Sequence, residues 1–302
     1  MPKLIIQLSG GLGNQMFQYA TARTLALQNN LDLVIDNRSG FFRDKLYVRK
    51  YELKKFPIKG RLANFHEIIP FFFIRIMIRF KKKYQLKNKI FFGQYIQEQS
   101  NTEDHSKSFL QAVKKYQLNE NVWIKGYWQS PYYFEKYKDL IQSELDLPKP
   151  NNDNFKSLGK KILNSESVAL GLRLYEESEN PTTHSLNFKE KKIVEFNNVI
   201  EKVKKKHPES SFFVFCTHRS KLLKKLNLPK KTTFITPEDG YTGSIEKLWL
   251  LSQCKHHIFN NSSFYWWGAW LSSKFYKNNN QTIYAADNFI NKDGLLKSWH
   301  KF

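Results

Sequence analysis

The opening of the chain constrains it most. Leu4-Ile5-Ile6-Gln7-Leu8 is an apolar run that stops at Ser9-Gly10-Gly11-Leu12-Gly13-Asn14-Gln15. A helical pattern follows, with Met16, Phe17, Ala20, Thr24 and Leu27 on one face. The reading is strand, glycine loop, helix: the start of an α/β unit. Glycines let the backbone approach a ligand closely, and a helix N-terminus attracts anions. The loop therefore points to a phosphate-bearing ligand. A dinucleotide fingerprint needs three glycines and, about 20 residues on, an acid. Gly11 and Gly13 fill two positions, Met16 stands in the third, and Asp32 and Asp36 fall near the acid position. Such a glycine pair also serves simple tight turns.

A length of 302 residues suits one large domain or two medium ones. The net charge of +22 implies an acidic partner: nucleic acid, an anionic membrane surface or a phosphorylated substrate. The basic residues are dispersed, with no zinc-finger spacing and no basic region with heptads, so no nucleic-acid partner is expected. Cys216 and Cys254 lie in or beside apolar runs and read as buried thiols. Met1 leads straight into the first strand, which reads as a chain without a signal peptide. No apolar run has bilayer-spanning length. A soluble, cytoplasmic protein is expected. Ile68 to Phe80 is nearly all apolar and is followed by Lys81, Lys82 and Lys83. It reads as a buried helix, or as an interfacial helix giving peripheral contact with the anionic inner face of the cell membrane.

Further strands are expected at Leu31 to Asp36, Val122 to Trp128, Val168 to Arg173, Ser211 to Cys216, Thr232 to Ile235, His256 to Asn260 and Thr282 to Ala285. Helices are expected at Tyr132 to Ser143, Phe188 to Lys206, Lys221 to Leu226, Ser244 to Gln253 and Ser263 to Ser272. The run Leu147-Pro148-Lys149-Pro150-Asn151-Asn152 divides the chain into domains 1–150 and 151–302. Alternating strands and helices predict an α/β fold with parallel sheets and ligands beyond the carboxyl ends of the strands. In two such domains both sets of strand ends can face one cleft.

At those ends, Arg173 closes an apolar strand and can grip phosphate bidentately, with Glu176 and Glu177 just after it. Asn261, Ser262 and Ser263 open an aromatic helix and form a second anion site. Trp266 and Trp267 cannot both face one way, which leaves one for the ligand pocket. No Asp-x-Asp triplet occurs, and Glu144-Leu145-Asp146 is the nearest approach to one. Metal chelation of a diphosphate needs clustered carboxylates, so a metal-independent site is expected.

Four stretches together resemble the bacterial α-1,2-fucosyltransferases of glycosyltransferase family 11: Gly10 to Ala20 (GGLGNQMFQYA), Gly126 to Ser130 (GYWQS), the strand end at Arg173, and Asn261 to Leu271 (NSSFYWWGAWL). The resemblance spans residues 4 to about 286. It implies a GT-B-like enzyme that inverts the anomeric carbon of GDP-β-L-fucose without a metal or other cofactor. The donor would lie on the C-terminal domain. The acceptor, a galactose-terminated oligosaccharide or lipid-linked glycan, would lie on the N-terminal one. The implied catalytic residues are Arg173, Glu176 and Asn14. Donor binding falls to Gly11, Gly13, Asn14, Arg173, Asn261, Ser262 and Ser263, and acceptor binding to Trp128 and Gln129. Relatives carry His-x-Arg-Arg-Gly-Asp at the strand end. Here Gly171 replaces the histidine, Leu174 the second arginine, Tyr175 the glycine and Glu176 the acid; only Arg173 is kept. That departure keeps a GDP-sugar-binding protein with little turnover in play, and the opening loop keeps a nicotinamide oxidoreductase. Glu176 and Glu177 are the nearest candidates for a general base, although a diphosphate oxygen could take the proton instead. His184 is a loop histidine with a weaker claim.

Overall fold

The computed structural model describes residues 1–42, 44–45, 47–81, 89–90, 93–98, 120–173, 192–276, 280–289 and 293–302. The chain divides into two compact units, Met1–Asp146 and Leu147–Phe302. Each is built on a sheet that is mostly or wholly parallel.

In the first unit, β1 (Lys3–Gln7) leads into α1 (Leu12–Gln28) and β2 (Asp32–Asp36). Then come β3 (Arg61–Leu62), α2 (Phe65–Lys81), β4 (Lys89–Ile90), β5 (Gly93–Gln97), β6 (Val122–Lys125) and the short α3 (Lys138–Glu144). The strand order is β3-β2-β1-β6-β5-β4, parallel except for the β4–β5 pair. The apolar residues of β1 and β6 are buried because neighbours flank both strands. On one face Ile5, Val34 and Trp123 pack with Ala63, Ile68 and Phe71. The start of α2 is thus core, and the Trp123 indole donates to the Glu67 carbonyl at 2.9 Å. Phe73 is exposed on the same helix. Among the described residues no helix is long and apolar enough to cross a membrane.

The first unit corrects two expectations. The strand ends at Lys125 rather than Trp128, because Trp128 takes a left-handed φ of 54° that no strand accommodates. The helix expected from Tyr132 is instead two 3-10 turns, Pro131–Tyr133 and Glu135–Tyr137, ahead of α3. Ser130 caps the first turn by accepting a bond from the Tyr132 N–H.

The second unit opens with α4 (Asp153–Leu163), which the sequence reading missed; Asn152 caps it. Then follow β7 (Ser167–Gly171), α5 (Ile193–Lys206), β8 (Ser211–Phe215), a 3-10 turn at Lys221–Lys225 and β9 (Thr232–Ile235). α6 (Ser244–Ser252), β10 (His256–Phe259), α7 (Ser263–Ser272), β11 (Ile283–Ala285) and β12 (His300–Lys301) complete it. The order β12-β11-β10-β7-β8-β9 is parallel throughout. Phe196, Val199, Ile200 and Val203 of α5 pack on Val168, Leu170, Phe212, Val214 and Ile258 of the sheet. These four residues, recurring every three to four positions, are the core stripe of α5.

Candidate functional site

In an open parallel sheet, ligands bind beyond the carboxyl ends of the strands, where the strand order reverses. The first sheet reverses between β1 and β6, the second between β7 and β10. The two motifs richest in glycine and asparagine sit at these points.

At the first reversal, Gly10 turns the chain at φ 73° and Gly11 forms the N-cap of α1. Two buried glutamines of α1 fix the surrounding loops. Gln15 donates to the carbonyls of Gly10 and Lys50 and accepts from the Glu52 N–H. Gln18 accepts from the Ser9 N–H and donates to the Gly126 carbonyl at 3.0 Å. Asn14 Oδ1 then accepts from Gln129 Nε2 at 2.8 Å. The structure thus brings Asn14 and Gln129 together beside Gly11 and Gly13. Trp128 lies apart from solvent, 1 % exposed and edge-on to Tyr133, as part of the loop's packing.

The acid that ends β2, Asp36, is not available for a ribose. Asp36 is buried, and its carboxylate accepts from the N–H groups of Arg38 and Ser39 and from the Ser39 hydroxyl. Met16 at the third glycine position is fully buried. Glu144 is occupied too, by a bidentate pair with Arg23 and a bond from the Tyr19 hydroxyl.

At the second reversal, one side chain fixes the strand end. Asn260 Oδ1 accepts from the Arg173 N–H at 3.0 Å, and Asn260 Nδ2 donates to the Arg173 carbonyl at 2.8 Å. Tyr265 adds a second tie: its hydroxyl lies 2.9 Å from the Leu172 carbonyl and 3.0 Å from that of Phe215. The ends of β7, β8 and β10 are thereby locked beside the start of α7. Arg173 is half-buried there, with Asn261 and Ser262 buried and Ser263 partly so. Ser262 is the N-cap by its extended backbone, but its side chain makes no capping bond. Anion attraction at this helix start rests on backbone dipoles and not on a serine cap. Trp266 and Trp267 are both fully buried, which corrects the expectation that one faces a ligand. Trp266 stacks on Trp270 and leans on Trp299, Trp267 meets Trp270 edge-on, and the Trp266 indole donates to the Gly294 carbonyl.

Gly171 is explained by Tyr265. A Cβ on Gly171 would come within 2.5 Å of the tyrosine ring. The ring fills the space that a larger residue at 171 would need. Glu176, Glu177 and His184 lie outside the described residues.

Sequence reading missed Gln15, Gln18, Asn260 and Tyr265, which act through hydrogen bonds to distant backbone. It also missed Arg219, which pairs bidentately with Asp239 in the loops after β8 and β9. The signal was present for the glutamines: two amides on the buried face of a helix require partners.

One described cluster offers three metal-type ligand atoms within 4.8 Å of one another: Glu166, His207 and His256. It lies at the amino-terminal edge of the second sheet, away from the strand ends. His256 Nδ1 accepts from the Thr282 N–H at 2.8 Å, so Nε2 carries the proton and faces Glu166 at 2.8 Å. Lys255 also reaches Glu166, at 2.8 Å. A ring protonated at Nε2 is no ligand, so these residues form an ion and proton network. Burial lowers the His256 pKa to about 4 against the pull of Glu166, and lowers that of His207. Burial raises the Glu166 carboxyl, but the bonds from Lys255 and His256 outweigh it and hold the group below its usual range. Unfolded histidine takes up a proton near pH 6.5, while folded His256 resists down to about 4. Stability should therefore fall as pH drops from about 6.5 to about 4, by on the order of 3 kcal/mol for His256. The Glu166 share is lost only below the usual carboxylate range. Urea melts at stepped pH check this; a midpoint unchanged between pH 7 and 5 contradicts it.

Residues 3–301 match the model of Glycosyl transferase family 11. The chain belongs to that family. This family 11 glycosyltransferase is 28% identical over 280 residues to an alpha-1,2-colitosyltransferase of Escherichia coli, covering 90% of this chain and 89% of that one. It is 27% identical to the O-antigen biosynthesis glycosyltransferase WbnK of Escherichia coli, covering 94% of this chain and 98% of the relative. Its fold is similar to the NodZ alpha-1,6-fucosyltransferase of Bradyrhizobium soaked with GDP-fucose, with a TM-score of 0.54, 14% identity and coverage of 90% and 93%. Arabidopsis thaliana FUT1 in complex with GDP is similar at the same TM-score and identity, covering 94% of this chain and 70% of that one. These likenesses identify the fold as GT-B-like, with two Rossmann-type units.

Proposed function

We propose that this glycosyltransferase moves L-fucose from GDP-β-L-fucose to the 2-hydroxyl of a terminal galactoside, inverting the anomeric carbon without a metal. The observation that carries the reading is the clamp of Asn260 on Arg173, which sets a guanidinium residue beside the start of α7. As the bond to GDP breaks, negative charge grows on the diphosphate, and donors fixed in advance stabilise it most effectively. Arg173 and the backbone at Asn261, Ser262 and Ser263 take that role on the second unit, with Gly11, Gly13 and Asn14 as the donor contacts of the first. Trp128 and Gln129 belong to the acceptor side; buried Trp128 acts by shaping the loop. Glu176 remains the acid suggested by the family's strand-end motif. The GDP and GDP-fucose in the crystals of similar folds support this donor, and the alpha-1,2 linkage in a relative's name supports the linkage. That relative transfers colitose by name, so GDP-linked colitose is the second donor to test. The net charge of +22 and exposed Phe73 on α2 favour a lipid-linked acceptor at an anionic membrane surface.

Purified protein is expected to release GDP from GDP-fucose when given lactose, with product linkage at the galactose 2-position. In thermal-shift screens GDP should stabilise it, and NAD and NADP should not. Stabilisation by GDP with no transfer to any galactoside indicates a binding protein; stabilisation by NAD alone returns the oxidoreductase reading.

A further inference from the structure

The fold brings a carboxylate to the first strand reversal that the sequence did not reveal. Glu98 directly follows β5, next to β6. Its Oε2 accepts from the Tyr127 N–H at 2.6 Å, and both oxygens lie 3.1 Å from the Trp128 N–H. The approach is close because residue 126 is glycine. A Cβ on Gly126 would fall 2.4 Å from the Glu98 Cβ. The same loop carries Gln129, which binds Asn14, and the left-handed Trp128. A bulky residue in that conformation is strained and persists only where its surroundings hold it. Here Glu98 and Gln18 hold it from both sides of Gly126.

Four other described carboxylates of this unit serve its own turns and ion pairs. Asp36 closes its own turn, Glu67 pairs with Arg61 and Lys3, Glu144 pairs with Arg23, and Asp44 accepts from the N–H groups of Tyr47 and Arg49. Glu98 is partly exposed, and among the described residues backbone N–H groups hold it. Two such donors orient a carboxylate, while lone pairs remain for a hydroxyl.

We propose that Glu98 is the base that receives the proton of the acceptor hydroxyl. The proposal rests on the transfer reading above. In the step, the acceptor oxygen bonds to the sugar's anomeric carbon. The bond from that carbon to the diphosphate oxygen breaks, and its electron pair leaves with GDP. The hydroxyl proton passes to a Glu98 oxygen and then to solvent. Atoms and charge balance with no further reactant.

The test compares wild type, Glu98→Gln and Glu98→Ala with GDP-fucose, reading GDP release with lactose and with azide. Glutamine keeps an oxygen for the Tyr127 N–H but is not basic. Glu98→Gln should lower kcat with lactose about 10²- to 10³-fold. The KM for GDP-fucose should change little, and the acidic limb of the kcat pH profile should vanish. Azide has no proton to lose, so Glu98→Gln, which keeps the loop bond, should release GDP with azide at a rate near that of wild type with azide, and Glu98→Ala should regain part of its loss. The proposal fails if Glu98→Gln stays within threefold of wild type. It also fails if both variants lose the azide and lactose reactions alike, since that marks a collapsed loop. A wild type that transfers to no galactoside overturns the transfer reading first, and this proposal with it.

Discussion

Arg173→Ala is expected to lower turnover by on the order of 10²-fold, the cost typical of removing one preorganised donor to developing negative charge. The structure makes this a clean experiment. Asn260 grips the backbone N–H and carbonyl of Arg173, and neither is altered by truncating the side chain. The tyrosine tie runs to Leu172 and Phe215 and is likewise untouched. The main-chain ties should therefore persist while kcat falls, and the melting temperature reports any fold cost separately. Arg173→Lys should recover part of the loss, because a lysine supplies the charge without the bidentate fork. Stopped-time GDP release and a thermal melt measure the two quantities. Near-wild-type kcat in a folded Arg173→Ala protein would remove this residue from the mechanism.

Gly171→His should be the most destabilising single change near the site. It restores the residue found in the motif of relatives, yet here the space is filled. Even a methyl group would meet the Tyr265 ring at 2.5 Å. The ring cannot swing aside cheaply, because its hydroxyl is bonded at two buried strand ends. Overpacking of this kind costs about 1–3 kcal/mol for small additions, and an imidazole adds more. A shift of 1 kcal/mol moves the melting temperature by roughly 2–4 °C in a domain of this size. Gly171→Ala should therefore melt several degrees lower, and Gly171→His lower still. Truncating Tyr265 together with Gly171→His should cost less than the two changes summed, since the truncation removes the clash that the histidine creates. Strictly additive losses would show that the ring is not what excludes histidine.

The second unit was legible in the sequence because its elements are regular and mostly buried on both faces. Thr232–Ile235 and Ser263–Ser272 stand where turn residues and apolar runs mark them. α4 was missed because its four buried positions, Phe155, Leu158, Gly159 and Ile162, are diluted by lysines and asparagines. In the first unit, β3 and β4 have two residues each, too few for a period to show. At the site, residues flagged by type, such as Arg173 and Asn14, were easy to nominate. Residues whose role is a bond to remote backbone were not. Asn260 passed for a strand terminus, and Glu98 lay 28 residues before the Gly126 loop it organises. Trp266 and Trp267 failed for the opposite reason. Their size suggested a platform for a ligand, whereas α7 is apolar around its whole circumference and is enclosed.

The Asn260 amide satisfies both main-chain groups of a residue beyond the end of the ladder, as a neighbouring strand would. The sheet is in effect one rung longer than its backbone pairing. Any local opening that frees Arg173 must break this rung first, so Arg173 shares the slow breathing of the core rather than the faster motion of a loop. A rigid mount of this kind suits a group whose value lies in needing no rearrangement when charge appears.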